Sequence, residues 1–575
     1  MLLLIVAFVA LAARCFYLQY FKSDYYIARC LRQQQSNCPQ KPRRGTIFDS
    51  RGRVLAASNG IQVVTVEPRI IKNPDDAATR LAPIVEMDPH VIRTLITESG
   101  NPGYAKIRAG VDPDQSKAAR RINGVGIESD WLRHYPLGRL TATIVGFTST
   151  DNRGLEGLEL QYDKRLKGSA ARNVFYADVV RRPIRLKQEE GVLRDGVGII
   201  LTLDATIQKF VRDELVKQYE KYQAEAAVAV VADPKTGAIL AMVSLPDFDP
   251  LEAGTTDPNY FRSRVITDWF EPGSVIKPIV MAIALDAGVV KRDEQIFCEN
   301  GSYGGKGFGR ISEYLGGFGD LTPREILIKS SNIGMAKVGQ RLGKEKLHNG
   351  LKLFGFGDKT GIELPGEVDG LVRPLQKWDG YSETRVPFGQ EICVTAMQLV
   401  RAFCILANGG RLVRPYLVKA IVEDDGRITS LKRPQPPVGY VVKPEIARWV
   451  VSDAMVGVIN EGTGKRAKLE KWQVFGKTGT ANIAKEGERG YSDSDYIASF
   501  VCGAPAEDPA IVVLVSIRKP KKSLGMGYTG GVVASPVAAN IVDKALAYIE
   551  KLKGQASSVQ RGPLQQSGIP ERWPG

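Results

Sequence analysis

Residues 475–481 read FGKTGTA, and a Lys-Thr-Gly triplet of this kind is typical of a strand that lines an active site. The chain contains the triplet three times, so the surrounding residues must show which copy has that role. The triplet at 235–237 joins two β-rich apolar runs and predicts a hairpin turn. The triplet at 359–361 lies among glycines and a proline and predicts a loop. The triplet at 477–479 follows a short apolar segment and precedes small residues, which predicts a strand.

Two Ser-x-x-Lys spacings occur, at Ser274–Lys277 and at Ser516–Lys519. Ser516 belongs to an uninterrupted β-branched run, and residues three apart on a strand point to opposite faces. Ser274 follows a Pro-Gly break and opens an apolar helix, on which residues three apart share a face. We therefore expect hydrogen-bond reach only between Ser274 and Lys277.

Ser274 and Lys277 have the chemistry of a nucleophile and its base. A serine hydroxyl is a poor nucleophile, and lysine accepts a proton only when burial or nearby positive charge neutralises its ammonium. The apolar helix and its positive N-terminus both favour the neutral amine. The structural alternative is a solvated pair in which Ser274 caps a buried helix.

A second hydroxyl and an amide follow at Ser330 and Asn332, between two helical stretches. A hydroxyl can relay a proton to a leaving group, and an amide can hold a substrate carbonyl or the lysine. Ser-x-Asn alone is common and is usually structural.

The strand at 475–481 supplies the predicted substrate-binding residues Lys477, Thr478, Gly479 and Thr480. Lys477 offers a cation to a substrate carboxylate, and Gly479 is expected to leave room for substrate against the strand. The backbone N–H groups of Ser274 and Thr480 are candidates for binding an oxyanion.

The order Ser-x-x-Lys, Ser-x-Asn, Lys-Thr-Gly is far more specific than any one of its members. With it, the chain resembles the class B penicillin-binding proteins, and most of all those that act in bacterial cell division. The resemblance runs from the N-terminus to about residue 548. It is carried by the segments RRGTIFDSRGRVLA, RHYPLG, GLEGLELQYDKRLKG, FEPGSVIKP, KSSNIG and GKTGTA.

The resemblance implies a multidomain α/β (α+β) fold. A membrane signal anchor would occupy residues 1–22, and a β-rich pedestal or dimerisation domain would occupy residues 35–195. The transpeptidase domain, residues 196–550, is expected to have a serine β-lactamase-like antiparallel five-stranded sheet flanked by helices. Residues 554–575 are rich in Pro, Gly, Gln and Ser and predict a disordered tail.

The resemblance also implies a serine D,D-transpeptidase that needs no cofactor and acts in septal cell wall synthesis. Such an enzyme takes the D-Ala-D-Ala end of a peptidoglycan stem peptide, forms an acyl-enzyme at Ser274 and passes the acyl group to an amine of a neighbouring strand. Lys277 would be the base, assisted by Ser330 and Asn332, and β-lactams would bind the same site. Because the chain shows no polymerising site, its expected protein partners are a membrane glycan polymerase and division proteins.

Three alternatives remain. An elongation enzyme would share every motif, and the Phe-Glu-Pro-Gly-Ser segment favours division only by family analogy. A D,D-carboxypeptidase or β-lactamase-like hydrolase would activate water, and the Glu-x-x-x-Asn spelling at Glu345–Asn349 is disfavoured because it lies in a helical pattern only 13 residues after Asn332. A non-catalytic scaffold is disfavoured because all three motifs are intact.

The composition and net charge indicate which other classes of ligand the chain is suited to bind. The formal net charge of +15 fits a basic face near anionic lipid, and no zinc spacing or aromatic signature favours nucleic acid. Seven cysteines without a Cys-x-x-Cys pair, together with three histidines, make a metal site improbable. Cys30 and Cys38 are close enough in sequence for a disulfide outside the cytoplasm, although the odd total leaves at least one thiol free.

The first residues predict how the chain meets a membrane. Twelve apolar positions, 2–13, precede Arg14 and an aromatic-rich stretch that resembles an interfacial belt. A cleaved signal peptide would have a basic leading region, which is missing, so we expect an uncleaved anchor. The catalytic domain would then lie on the periplasmic side of the cytoplasmic membrane of a bacterium, held by a single span.

Overall fold

A computed structural model describes residues 1–177, 183–190, 192–314, 316–430, 439–485 and 490–559. The chain forms two compact units, each assembled from separate segments of sequence. The first comprises residues 1–46, 57–134 and 164–197, and the second comprises residues 47–56, 135–163 and those from 198 onward.

The chain begins with an exposed apolar helix, Leu2–Phe16, whose helical course continues through Tyr17–Phe21. These 20 residues are long and apolar enough to cross a membrane, and no other helix in the described ranges meets both conditions. The helix Ser23–Gln34 follows. The side chains of Cys30 and Cys38 lie outside the described residues, so their pairing stays a prediction.

The first unit is built around antiparallel strands. Residues 57–66 of the strand Val54–Val66 pair with Ala105–Val111 and with Val125–His134. Three helices pack their apolar residues against this sheet, and each follows an Asn or Asp cap and starts at a proline: Pro74–Val85, Pro89–Thr97 and Pro113–Ala119. A second antiparallel sheet orders the strands Gln35–Gln40, Ala171–Ala177 and Pro183–Glu190.

The second unit contains a five-stranded antiparallel sheet. Its spatial order is Ile239–Leu245, Ala226–Ala232, Ile511–Arg518, Tyr491–Ala504 and Phe475–Ala484. The helices Ala205–Lys221 and Ser535–Val559 share one apolar core with the sheet. The helix Ala396–Ala407, which also packs on the sheet, is buried along nearly its whole length. This arrangement confirms the expected α/β class with helices flanking a five-stranded sheet.

The helices that surround the predicted motifs are Lys277–Asp286, Pro323–Lys329 and Asn332–Leu353. Further helices of the second unit are Ala142–Val145, Gly157–Gln161, Arg264–Thr267, Gly380–Arg385, Pro444–Trp449, Met455–Asn460 and Gly530–Val533. Its short paired strands include Ile47–Phe48, Gly198–Leu201, Trp269–Phe270, Ile296–Phe297, Ser302–Gly305, Gly309–Ser312, Asp320–Leu321, Val394–Thr395, Val418–Val422 and Ile428–Ser430.

The three Lys-Thr-Gly triplets take the conformations predicted from their surroundings. The first turns a hairpin, with Gly237 at a φ of 80°. The second lies in a loop where Thr360 and Gly361 donate their backbone N–H groups to the carboxylate of Glu367. The third lies on the strand Phe475–Ala484, here named the KTG strand.

The side chains of the second Ser-x-x-Lys pair, Ser516 and Lys519, lie apart, as predicted. Ser516 lies on the strand Ile511–Arg518 and its hydroxyl is 2.9 Å from the Ser499 hydroxyl. The Lys519 ammonium instead pairs with Glu225 at 2.7 Å. These two side chains do not meet.

The last helix continues to Val559, six residues into the segment whose composition predicts a tail. A glycine inside a helix, here Gly554, costs only about 1 kcal/mol relative to alanine, which a long packed helix can absorb. Residues 560–575 lie outside the described part of the chain.

Candidate active site

Ser274 lies in a tight turn, Gly273–Ile276, that leads into the helix Lys277–Asp286. Gly273 has a φ of 53° and donates its N–H to the carbonyl of Gly389 at 3.1 Å. Ile276 precedes the helix and provides no side-chain cap, so Ser274 does not serve as the capping residue. Ser274 remains partly exposed, whereas Lys277 is fully buried.

The Lys277 ammonium is held by three oxygen atoms from a distant part of the sequence. Its Nζ donates to the Ser330 carbonyl at 2.6 Å, to Asn332 Oδ1 at 2.8 Å and to Ser330 Oγ at 3.3 Å. In the described part of the chain no hydrogen bond joins Lys277 to Ser274. The expected direct link between these two residues is therefore absent, although they occupy adjoining turns.

Burial changes the protonation of both lysines at the site. Desolvation, reinforced by the charge of Lys477, holds the pKa of Lys277 well below its usual value, and the carboxylate of Glu313 opposes that shift. Desolvation also lowers the pKa of Lys477 to about 7. The lowered pKa of Lys277 favours the neutral amine that a base requires.

Ser330 occupies the turn between two helices. The helix Pro323–Lys329 ends at Ser330, whose φ of 58° is left-handed, and Asn332 opens the next helix. A non-glycine residue in this conformation carries strain that the surrounding contacts must offset. The result is that Ser330 Oγ lies between the two lysines, 2.9 Å from Lys477 Nζ and 3.3 Å from Lys277 Nζ.

The KTG strand forms an edge of the five-stranded sheet. One row of its backbone N–H and C=O groups therefore has no strand partner. Thr478 and Thr463 share a hydrogen bond of 2.6 Å between their hydroxyls, and Thr480 Oγ1 accepts the Gly530 N–H at 3.1 Å.

Gly479 lets the KTG strand approach the turn that carries Ser274. A Cβ atom placed there would lie 2.5 Å from Val275 Cγ2 and 3.0 Å from the Pro272 carbonyl oxygen. The expectation that Gly479 leaves room for substrate therefore needs correction, because the turn itself fills that space.

The predicted residues surround a cleft of about 450 Å³. Five of them line it: Ser274, Ser330, Asn332, Thr478 and Thr480. The side chains of Lys277 and Lys477 are buried beside this cleft.

Sequence reasoning missed two carboxylates that also line the cleft, Glu271 and Glu313. Glu271 accepts the Glu391 N–H at 2.9 Å and the Tyr491 hydroxyl at 3.0 Å, and burial raises its pKa. Glu313 contacts the turn at Ser330–Asn332. Its neighbours in sequence are Ser312 and Tyr314, and no spacing points to a motif. For Glu271, adjacency to the Pro-Gly-Ser segment was the available signal.

Comparison with known proteins identifies the family. A model described as the penicillin-binding protein transpeptidase domain matches residues 227–543, and one described as the penicillin-binding protein dimerisation domain matches residues 39–196. The chain belongs to the class B penicillin-binding proteins. This membership and the apolar helix Leu2–Phe21 make it a membrane-anchored peptidoglycan D,D-transpeptidase.

Similar proteins match along almost the whole chain. Stage V sporulation protein D of Bacillus subtilis is 34% identical over 94% of this chain and 84% of its own length. The peptidoglycan D,D-transpeptidase FtsI of Escherichia coli is 29% identical over 94% of this chain and 90% of its own length. The structure of penicillin-binding protein 3 of Mycobacterium tuberculosis complexed with aztreonam matches with a TM-score of 0.69 and 26% identity, covering 89% of this chain and 97% of that chain.

The close approach at Gly479 predicts the effect of one added methyl group. Gly479→Ala should displace the Ser274 turn and lower the second-order rate of acylation by a fluorescent penicillin by about 100-fold, since misplacement by about 1 Å has that effect. Gly254→Ala is the matched control, because a Cβ atom there meets nothing within 4 Å. Equal rates in the two variants would contradict the packing argument.

Proposed function

We propose that this penicillin-binding protein cross-links peptidoglycan stem peptides through an acyl-enzyme at Ser274 during septal wall synthesis. The observation that carries the assignment of the site is the buried Lys277 ammonium, bonded to Ser330 and Asn332 beside the Ser274 turn. A buried lysine whose pKa is lowered can accept a proton, which is the role that the Ser274 nucleophile requires.

In the acylation step, Lys277 accepts the proton of the Ser274 hydroxyl while Oγ attacks the carbonyl carbon of the penultimate D-alanine. We expect the Ser274 hydroxyl and the Lys277 amine to come within hydrogen-bond distance when substrate fills the cleft. Hydrogen bonds at an active site often tighten only in the complex. The charged form of Lys277 that results is stabilised by the oxygen atoms of Ser330 and Asn332.

The departing terminal D-alanine needs a proton on its amine as the C–N bond breaks. Ser330 Oγ is the proposed donor, because it lies within hydrogen-bond distance of both Lys277 and Lys477 and can be reprotonated from Lys277. The ester left on Ser274 then reacts with the amine of a second stem peptide. That amine loses a proton by the reverse route, and the Ser274 hydroxyl is restored.

The KTG strand has the proposed role of orienting the donor peptide. The hydroxyls of Thr478 and Thr480 line the cleft and can donate to the terminal carboxylate, with Lys477 supplying positive charge behind them. The oxyanion would be held by the backbone N–H groups of Ser274 and Thr480, the second of which lies on the edge strand.

The positions of Glu345 and Asn349 argue against the hydrolase alternative. Glu345 and Asn349 both lie exposed on the helix Asn332–Leu353, and neither lines the cleft. They are therefore poorly placed to activate a water molecule at Ser274.

The role of the rest of the chain is proposed from the same family. The anchor at residues 1–22 would hold the enzyme in the cytoplasmic membrane with residues 196–550 as the periplasmic transpeptidase domain. Residues 35–195 form the pedestal, which would bind a membrane glycan polymerase and other division proteins. In an enzyme of the elongation type, the same domain would bind its partners at the side wall. Stem peptides are the substrate, and β-lactams bind as their mimics.

The first test maps the nucleophile. A labelled penicillin should modify a single peptide, at Ser274, because no other serine of the Ser-x-x-Lys type lies beside a buried lysine. Ser274→Ala should lose the label, whereas Ser516→Ala, the matched control, should keep it. Label on Ser516, or label retained in Ser274→Ala, would refute the assignment.

The second test concerns the base. Lys277→Arg should fold but lose at least about 1,000-fold in the rate of acylation, because guanidinium keeps its proton at any accessible pH. In the unaltered protein the rate should rise with pH through the lowered pKa of Lys277, as the neutral amine forms. Rates measured by stopped-flow labelling in Lys277→Arg that match the unaltered protein would show that another group is the base.

The third test concerns the septal role and the pedestal. A fluorescent fusion should concentrate at midcell, and Ser274→Ala should remain there because recruitment depends on partners and not on catalysis. Leu132 is 55% exposed on a strand of the first unit, so Leu132→Asp should weaken recruitment while penicillin acylation stays normal. Uniform labelling of the side wall would instead favour an elongation role.

A further inference from the structure

Glu313 connects a hairpin to the turn that carries the second motif. The strands Ser302–Gly305 and Gly309–Ser312 form this hairpin, and Glu313 follows it directly. The hairpin is tied to its surroundings by a bond from the Tyr303 hydroxyl to Gln340 at 2.9 Å. This bond does not involve the carboxylate that follows the hairpin.

The Glu313 carboxylate accepts three hydrogen bonds from consecutive residues. The donors are the Ser331 hydroxyl at 2.5 Å, the Asn332 N–H at 2.8 Å and the Ile333 N–H at 3.2 Å. The two N–H groups belong to the first turn of the helix Asn332–Leu353, where the backbone donors have no partner within the helix. A carboxylate there also benefits from the helix dipole.

The same hairpin fixes the orientation of the Asn332 amide. Asn332 Nδ2 donates to the Ser312 carbonyl at 3.2 Å, which leaves Oδ1 to accept from Lys277 at 2.8 Å. Ser312 and Glu313 together therefore hold both the backbone and the side chain of Asn332.

We propose that Glu313 is a positioning residue of the transpeptidase reaction, which fixes the oxygen atoms of Ser330 and Asn332 on the Lys277 ammonium. It acts through the turn, and in the described part of the chain no hydrogen bond joins it to Ser274. The inference rests on the proposed role of Lys277 as base.

The charge of Glu313 predicts an effect on the pH dependence of acylation that a purely structural role would not have. The charged groups that act on Lys277 are Lys477 on the KTG strand, which lowers its pKa, and Glu313, which raises it. Loss of the carboxylate, and of the acceptor geometry it maintains, destabilises the ammonium and so lowers the pKa of Lys277 further. The rise of acylation with pH should then occur at lower pH, even though the plateau rate falls.

The experiment measures acylation of the full chain by a fluorescent penicillin across a pH series. Glu313→Gln should lower the plateau rate of acylation at least about tenfold, as expected for lost hydrogen bonds to a charged group. It should also shift the part of the pH profile in which the rate rises, here called the acid limb, to lower pH. Glu313→Asp keeps the charge on a shorter side chain, so it should lower the plateau while holding the limb nearer its original position. It also keeps the test valid if Glu313→Gln fails to fold.

The matched control is Asp320→Asn, an exposed acid in the same stretch between the two motifs. It should leave both the plateau and the limb unchanged. A lowered plateau with an unmoved limb in Glu313→Gln, or equal losses in Asp320→Asn, would overturn the inference. Measuring Lys277→Arg in parallel separates the two proposals. Normal acylation of Lys277→Arg would overturn the assignment of the base. Loss of acylation in Lys277→Arg together with full activity of Glu313→Gln would overturn only the positioning role.

Discussion

The burial of the Lys277 ammonium is the constraint on which the rest of the site depends. Transfer of an unpaired charge from water into a protein costs several kcal/mol, and this lysine is fully buried. Three oxygen atoms of Ser330 and Asn332 offset that cost, whereas the like charge of a second buried lysine, Lys477, increases it. The balance favours the neutral amine of Lys277 more than in an exposed lysine, and the same contacts require the turn at Ser330 to hold one conformation.

That constraint explains the arrangement of the surrounding elements. Two helices must end and begin at Ser330–Asn332 so that their oxygen atoms point at the lysine, and the left-handed Ser330 is the residue that permits the change of direction. The KTG strand lies at the edge of its sheet, which leaves one row of its backbone groups for the proposed contacts with substrate. Gly479 then brings this edge against the Ser274 turn, where any side chain would separate the two.

Much of this could be predicted from local sequence. The flanking residues distinguished one strand from a turn and a loop among three identical triplets, since hairpin and strand signals extend over only a few residues. The same reasoning excluded Ser516, whose strand directs Lys519 to Glu225. The five-stranded sheet with its flanking helices was expected from the family resemblance and is confirmed. The family match, which no single motif could establish, places the protein among the peptidoglycan D,D-transpeptidases.

The sequence by itself determined which elements form and which residue types carry the chemistry, because periodicity and turn preferences are properties of neighbouring residues. Only the tertiary structure decided how those residues meet. Lys277 bonds to residues 53 and 55 positions away and not to Ser274, three positions away. Gly479 accommodates Val275 of the Ser274 turn, and Glu313 reaches the second motif from a hairpin that carries no recognisable pattern. Contacts of this kind depend on the packing of elements distant in sequence, and a local pattern holds no record of them.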